Sequence, residues 1–368
     1  MNLSKIALPH LQSVTPYLPG KPIEEVQREY GIRDCIKLAS NENALGPSPR
    51  ALDAMKRTLS TLALYPEGSC YDLVEALSEK YHFPSPSFAI GNGSCELIDL
   101  FIRAFTLPGD DIVTSDRAFC IYAISGRVAN CRVIEAPMRE MTFDLEAILE
   151  RVTPKTKLIF IANPNNPTGT YVKKKSFESF LKATEDRPLL VILDEAYFES
   201  VLAPDYPDGM SYLKEFPHLV VFRTFSKVHG LAGLRIGYAV ASPEIISYIH
   251  RVRAPFNVNR LAQIAAIAAM EDQGHIDRYS ALLRGEIPKL YEGYRELGFT
   301  YTPTAANFIL LDVGKEGRRC YEELLQYGLI TRPLEPYRLP RHLRITVGRP
   351  EENRLLLTAL GEIREKLK

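Results

Sequence analysis

The sequence predicts an α/β protein in which a mostly parallel central sheet is sandwiched by helices and followed by a smaller α+β C-terminal domain. Three observations lead there. Short apolar runs that end in polar or glycine-rich turns alternate with longer amphipathic stretches, the rhythm of repeated βα units. The apolar runs are nearly continuous rather than alternating, as strands covered on both faces require. The rhythm changes near Pro255, beyond which long helical patterns dominate.

Residues 1–50, rich in Pro and Asn, read as an N-terminal arm that packs with the small domain and a partner subunit. Residues 51–255 read as the large domain. Its strands are expected at Asp111–Ser115, Arg132–Glu135, Lys157–Ala162, Leu189–Leu193, Leu219–Arg223 and Arg235–Ala241. Helical patterns such as Cys95–Phe105, Leu145–Val152 and Lys174–Thr184 lie between them. Residues 256–368 read as the small domain. It opens with long helices at Arg260–Gln273 and Ile276–Leu297, the second expected to break or kink near Pro288. The strand-like Asn307–Val313, a helical stretch over Glu316–Tyr327, the strand-like Leu343–Val347 and a closing helix over Glu351–Lys368 complete it.

Composition narrows the function classes. Lysine plus arginine equals aspartate plus glutamate, 45 against 45, which argues against a nucleic-acid or membrane-surface partner. No run approaches the roughly 18 uninterrupted apolar residues of a membrane span, and Met1–Gly20 lacks the apolar core of a secretion signal. The six cysteines are scattered without metal-ligand spacing, so no metal is expected and the thiols read as reduced in a cytoplasm.

In open parallel sheets ligands bind beyond the carboxyl ends of the strands, so the polar residues there are the ones to weigh. Asn163-Pro-Asn-Asn-Pro-Thr-Gly169 follows one apolar run; taken alone it is an ordinary turn. Asp194-Glu-Ala-Tyr197 follows Leu-Leu-Val-Ile-Leu, and Asp194 could cap a helix or keep a heteroaromatic nitrogen protonated. Thr224-Phe-Ser-Lys227-Val-His-Gly follows Val-Val-Phe-Arg. Most lysines are merely solvated, but one held near the sheet in a desolvated cleft tends to lose its proton and become a nucleophilic amine. His229 reads as a packing residue. Gly91-Asn-Gly-Ser-Cys95 opens a helix, where exposed N–H groups attract an anion.

Together these segments supply a lysine for an aldehyde, a carboxylate for a pyridinium, Asn and Tyr donors for a phenolate and a cup for a phosphate, the parts that pyridoxal 5′-phosphate needs. In order and across nearly the whole chain they resemble the fold-type I pyridoxal-phosphate aminotransferases. Within that group the resemblance is to the histidinol-phosphate aminotransferase family. It is carried by Tyr17–Pro22, Lys37–Asn43, Gly46–Pro49, Tyr65–Ser69, Gly91–Ser94, Asn163–Gly169, Asp194–Tyr197, Thr224–Gly237 and Leu343–Gly348. The departures are Ala44, where the family usually has proline, and Cys95, where it often has an acidic residue.

The resemblance implies residue roles. Lys227 would bond the cofactor aldehyde and move the substrate's α-proton; Asp194 would hold the ring nitrogen; Asn166 and Tyr197 would donate to the ring oxygen; Phe119 would stack on the ring. Gly93, Ser94 and Cys95, with Thr224, Ser226 and Arg235, would hold the phosphate. Tyr65 would reach the phosphate of a partner subunit, which implies a homodimer. Arg344 would clamp a carboxylate, and Arg332 and Tyr17 would take a second anion. Histidinol phosphate carries no carboxylate while glutamate carries two, so arginines that accept either anion are expected. The implied reaction is transamination between histidinol phosphate and 2-oxoglutarate. An aromatic amino-acid aminotransferase on the same scaffold is the alternative, since small pocket changes are worth only a few kcal/mol. A pyridoxal-phosphate-binding regulator without activity would carry a DNA-binding module ahead of these motifs, and they begin within the first fifty residues.

Overall fold

The structure, a computed structural model, describes residues 6–315 and 317–367. Met1–Lys5 of the expected arm, Glu316 at an expected helix start and Lys368 at the end of the closing helix lie outside the described residues.

The main sheet has seven strands in the order Phe88–Gly91, Gly237–Val240, Leu219–Thr224, Leu190–Asp194, Thr156–Ala162, Asp111–Ser115 and Arg132–Ala136. The last five run parallel to one another. Gly237–Val240 is antiparallel to both its neighbours, so the sheet is mixed at one side. Every residue of Leu219–Thr224 and Asp111–Ser115 is buried, the signature of a sheet covered on both faces. One hydrophobic core surrounds this sheet and includes Ala262, Ala265, Ala266 and Ala269 of the helix Arg260–Glu271.

A second core gathers around a four-stranded antiparallel sheet ordered Thr300–Thr302, Phe308–Asp312, Leu339–Thr346 and Arg332–Leu334. Leu38 and Ala39 from the N-terminal segment belong to this core, and Ile36–Lys37 pairs in parallel with Leu329–Ile330. The helix Gln273–Glu296 is continuous through Pro288, so of the expected break or kink there is no break. A proline removes one donor and crowds the carbonyl four residues earlier; packing of Leu283, Leu290 and Tyr294 into the core holds the helix through it. Arg235 precedes its strand rather than starting it, with a left-handed backbone at φ 59°. No helix among the described residues is long and apolar enough to cross a membrane.

Candidate active site

A cavity of about 290 Å³ opens at the carboxyl ends of the parallel strands. Into it the fold brings Ser94, Cys95, Phe119, Asn166, Asp194, Tyr197, Thr224, Ser226, Lys227 and Arg235, residues from six separate stretches of sequence.

Lys227 sits in the loop after Leu219–Thr224. The loop is pinned by Gly230, whose φ of +70° and close approach to the Gly46 carbonyl leave no room for a side chain. The Lys227 amine donates to the Ser40 carbonyl at 3.2 Å and lies 5.5 Å from the Tyr197 ring centre. Burial first, then the positive charges of Arg344 and Arg235, bring its pKa down to about 8. Such an amine sheds its proton close to neutral pH.

Asp194 ends its strand inside the cavity, 4% exposed. The Tyr122 hydroxyl donates to its Oδ2 at 2.6 Å and the Ala196 amide to its Oδ1 at 3.2 Å. No cation hydrogen-bonds it among the described residues, and burial raises its pKa to about 6 against the pull of those donors. Lys227 is near enough to pull that pKa down but makes no hydrogen bond to the carboxylate. Tyr197, also buried, accepts from Asn41 Nδ2 at 2.8 Å, and burial pushes its phenol to about 12, so it stays protonated.

The helix Ser94–Phe105 begins at Gly93 with no side-chain cap, leaving its first N–H groups free for an anion. Arg235 lies across Gly93: a Cβ there would stand 2.5 Å from the guanidinium, and φ at Gly93 is +80°. Thr224 and Ser226 add buried hydroxyls. Phe119 and Ala196 supply apolar wall, with Phe119 edge-on to Tyr122 at 5.7 Å.

Five expected residues do not line this cavity. Gly93 stands behind Arg235. Tyr65 is 78% exposed and stacks on Phe256 at 4.8 Å. Tyr17 and Arg332 line a neighbouring cavity of about 430 Å³ that shares Phe119 with the first. Arg344 is buried, donating to Asn166 Oδ1 and to the Ala39 carbonyl, each at 2.5 Å, while its Nε has no partner. Arg332 and Arg344 are register partners on adjacent antiparallel strands, so their side chains share one face of the small sheet. His229 is buried against Phe225, and burial drops its pKa to about 3, which keeps it neutral.

Sequence reasoning missed Tyr122 and Asn41. Tyr122 follows Phe119 by three residues, which places both on one side of a helix start. Asn41 lies in the Lys37–Asn43 run, which carried resemblance but no assigned role.

These residues fit pyridoxal 5′-phosphate on three counts: a buried, easily deprotonated amine, a buried carboxylate to which no cation is hydrogen-bonded among the described residues, and an uncapped helix N-terminus under an arginine. The fold and this site define an aminotransferase. The aminotransferase class I and II family profile matches residues 33–360, and the chain belongs to that family. It is 46% identical to histidinol-phosphate aminotransferase of Anaeromyxobacter sp. (strain Fw109-5), over 96% of this chain and 98% of the relative. It is 44% identical to the same-named protein of Moorella thermoacetica, over 95% of this chain and 91% of the relative. Its place within the family is with the histidinol-phosphate aminotransferases. The crystal structure of the Sinorhizobium meliloti histidinol-phosphate aminotransferase, in complex with pyridoxal-5′-phosphate, superposes with a TM-score of 0.89 at 28% identity, covering 98% of each chain. The Thermus thermophilus aspartate aminotransferase shares the fold, with a TM-score of 0.82 at 23% identity over 98% of this chain and 99% of that one.

Proposed function

We propose that this protein transfers the amino group of L-histidinol phosphate to 2-oxoglutarate, giving imidazole acetol phosphate and L-glutamate in histidine biosynthesis, with pyridoxal 5′-phosphate as cofactor. The observation that carries the substrate is the 46% identity to a histidinol-phosphate aminotransferase over nearly the full length of both chains. The cavity supports the chemistry.

When bound, the cofactor supplies an electron sink for the pair left at the substrate's α-carbon. Lys227 would hold it through its amine and would move the substrate's α-proton, for which a pKa of about 8 suits it near neutral pH. Asp194 would hold the ring nitrogen protonated, gaining the hydrogen-bonded cation that its protein neighbours do not supply. Tyr197 and Asn166 serve the ring oxygen, and Phe119 stacks on the ring. The backbone of Gly93, Ser94 and Cys95, with Thr224, Ser226 and Arg235, holds the phosphate.

Arg344 takes a substrate carboxylate or phosphate. Its partnerless Nε and its register with Arg332 support one anion site that serves both substrates, with Tyr17 beside Arg332 at 5.7 Å from ring centre to guanidinium. Tyr65 completes the phosphate site of a second subunit. Its exposure among Leu59, Leu62 and Leu64, all more than half exposed, supports a homodimer. Free cysteines throughout are compatible with a reducing cytoplasm.

Steady-state assay of glutamate formation from 2-oxoglutarate tests the substrate assignment. Histidinol phosphate should exceed phenylalanine and tyrosine in kcat/KM by about 100-fold or more, the discrimination a pocket that reads polar groups attains. Equal or faster turnover of the aromatic amino acids would move the substrate to the alternative.

A further inference from the structure

Tyr197 carries one hydroxyl proton and can both donate and accept. Which way the proton points decides whether the residue can serve an anionic ring oxygen, and nothing in the tyrosine itself fixes it. Asn41 supplies the missing constraint. Its Nδ2 donates to the Tyr197 oxygen at 2.8 Å, and no other hydrogen bond is made by that oxygen among the described residues.

The amide of Asn41 is itself held in one orientation. The Thr346 hydroxyl accepts from the Asn41 backbone N–H at 2.9 Å and donates to Asn41 Oδ1 at 3.3 Å, which leaves Nδ2 facing the tyrosine. The Asn41 carbonyl accepts from Asn307 Nδ2 at 3.0 Å, and Asn307 in turn accepts no freedom from solvent: Asn41, Asn307, Thr346 and Tyr197 are all buried. Asn41 adopts φ 55°, a left-handed backbone that asparagine tolerates better than most residues.

We propose that Asn41 is a positioning residue: by donating to the Tyr197 oxygen, it turns the single hydroxyl proton into the cavity, so that Tyr197 meets the cofactor's ring oxygen as a donor. This rests on the cofactor placement proposed above. Burial keeps the phenol protonated, so the proton is there to be aimed. Thr346 shares its strand and face with Arg344, two residues away, so the strand that presents the anion-binding arginine also holds the amide that aims the tyrosine.

The test is the pH at which the absorbance of bound cofactor changes, recorded on the holoenzyme without substrate. A donor to an anionic oxygen favours the deprotonated form. Asn41→Asp reverses the polarity at constant shape, because a carboxylate accepts from the tyrosine and pulls the proton out of the cavity. The midpoint should rise by on the order of one pH unit, the worth of one such hydrogen bond. Asn41→Gly keeps the left-handed backbone and removes the amide; it should shift the midpoint in the same direction by less, and it serves if the aspartate variant does not fold. In a Tyr197→Phe background, itself shifted upward, Asn41→Gly should add no further shift. An unmoved midpoint in both Asn41 variants, or an equal shift with and without the Tyr197 hydroxyl, overturns the proposal. No amino donor is present, so failure of the histidinol-phosphate assignment leaves this readout untouched.

Discussion

Asp194→Asn should stabilise the cofactor-free protein, and do so more at pH 7.5 than at pH 4.5. Burial raises this carboxyl from its ordinary 3.8 to about 6, so the folded chain holds the proton more tightly than the unfolded chain. The stability contributed is fully present below pH 3.8 and is lost as pH rises through 6. At about 1.4 kcal/mol per pKa unit, ionisation within the folded chain costs on the order of 3 kcal/mol at pH 7.5 and roughly 1 kcal/mol at pH 4.5. The amide removes the ionisation and keeps an oxygen for the Tyr122 donor. Its NH₂ then faces the Ala196 N–H, which returns about 1 kcal/mol at either pH. The variant should therefore gain roughly 2 kcal/mol more at pH 7.5 than at pH 4.5. Urea unfolding of both cofactor-free proteins at the two pH values measures this. An equal effect at both pH values, or a larger gain at pH 4.5, would refute a carboxylate whose ionisation burial penalises at this position. In the loaded enzyme the order should reverse, because the substitution takes away the partner of the ring nitrogen.

Gly93→Ala should expel the Arg235 guanidinium and weaken cofactor retention, read as a raised Kd by fluorescence titration, with little change in the α-proton step once the enzyme is saturated. Arg344→Ala should raise KM for glutamate and for histidinol phosphate together, by about 10-fold or more for loss of a charge-assisted pair; an effect on one substrate alone would contradict the shared anion site. Glu195→Gln breaks a buried pair in which Arg223 donates twice to Glu195 Oε2, at 3.0 and 2.8 Å. It should cost about 3 kcal/mol in urea unfolding by removing one of the two carboxylates that balance a buried arginine. The loss is limited by the second partner of Arg223, Asp208 at 2.7 Å.

The parts of this site that sequence reveals are those tied to strand ends. Asp194 directly follows an uninterrupted apolar run and Lys227 lies in the loop that follows another, and polar residues beyond such runs have few places to go except the mouth of the sheet. What sequence does not reveal depends on pairing between distant segments. The shared face of Arg332 and Arg344 follows from the antiparallel register of their two strands, which no local pattern encodes. Asn41 meets Tyr197 only because the N-terminal segment crosses between the two cores. Tyr122 reads as one more apolar helix residue until the fold aims its hydroxyl at Asp194. Two elements escape a local reading. Phe88–Gly91 is too short to show periodicity, and the helix stays continuous through Pro288 because packing outweighs the proline.

The most direct test of the central assignment is a single half-reaction. Purified cofactor-loaded protein is mixed with L-histidinol phosphate in the absence of any 2-oxo acid, and the cofactor absorbance is followed in time. Rapid and complete loss of the long-wavelength band, with far slower change on adding L-phenylalanine or L-tyrosine, is the predicted result. Equal or faster conversion by the aromatic amino acids, or none with histidinol phosphate, would contradict it.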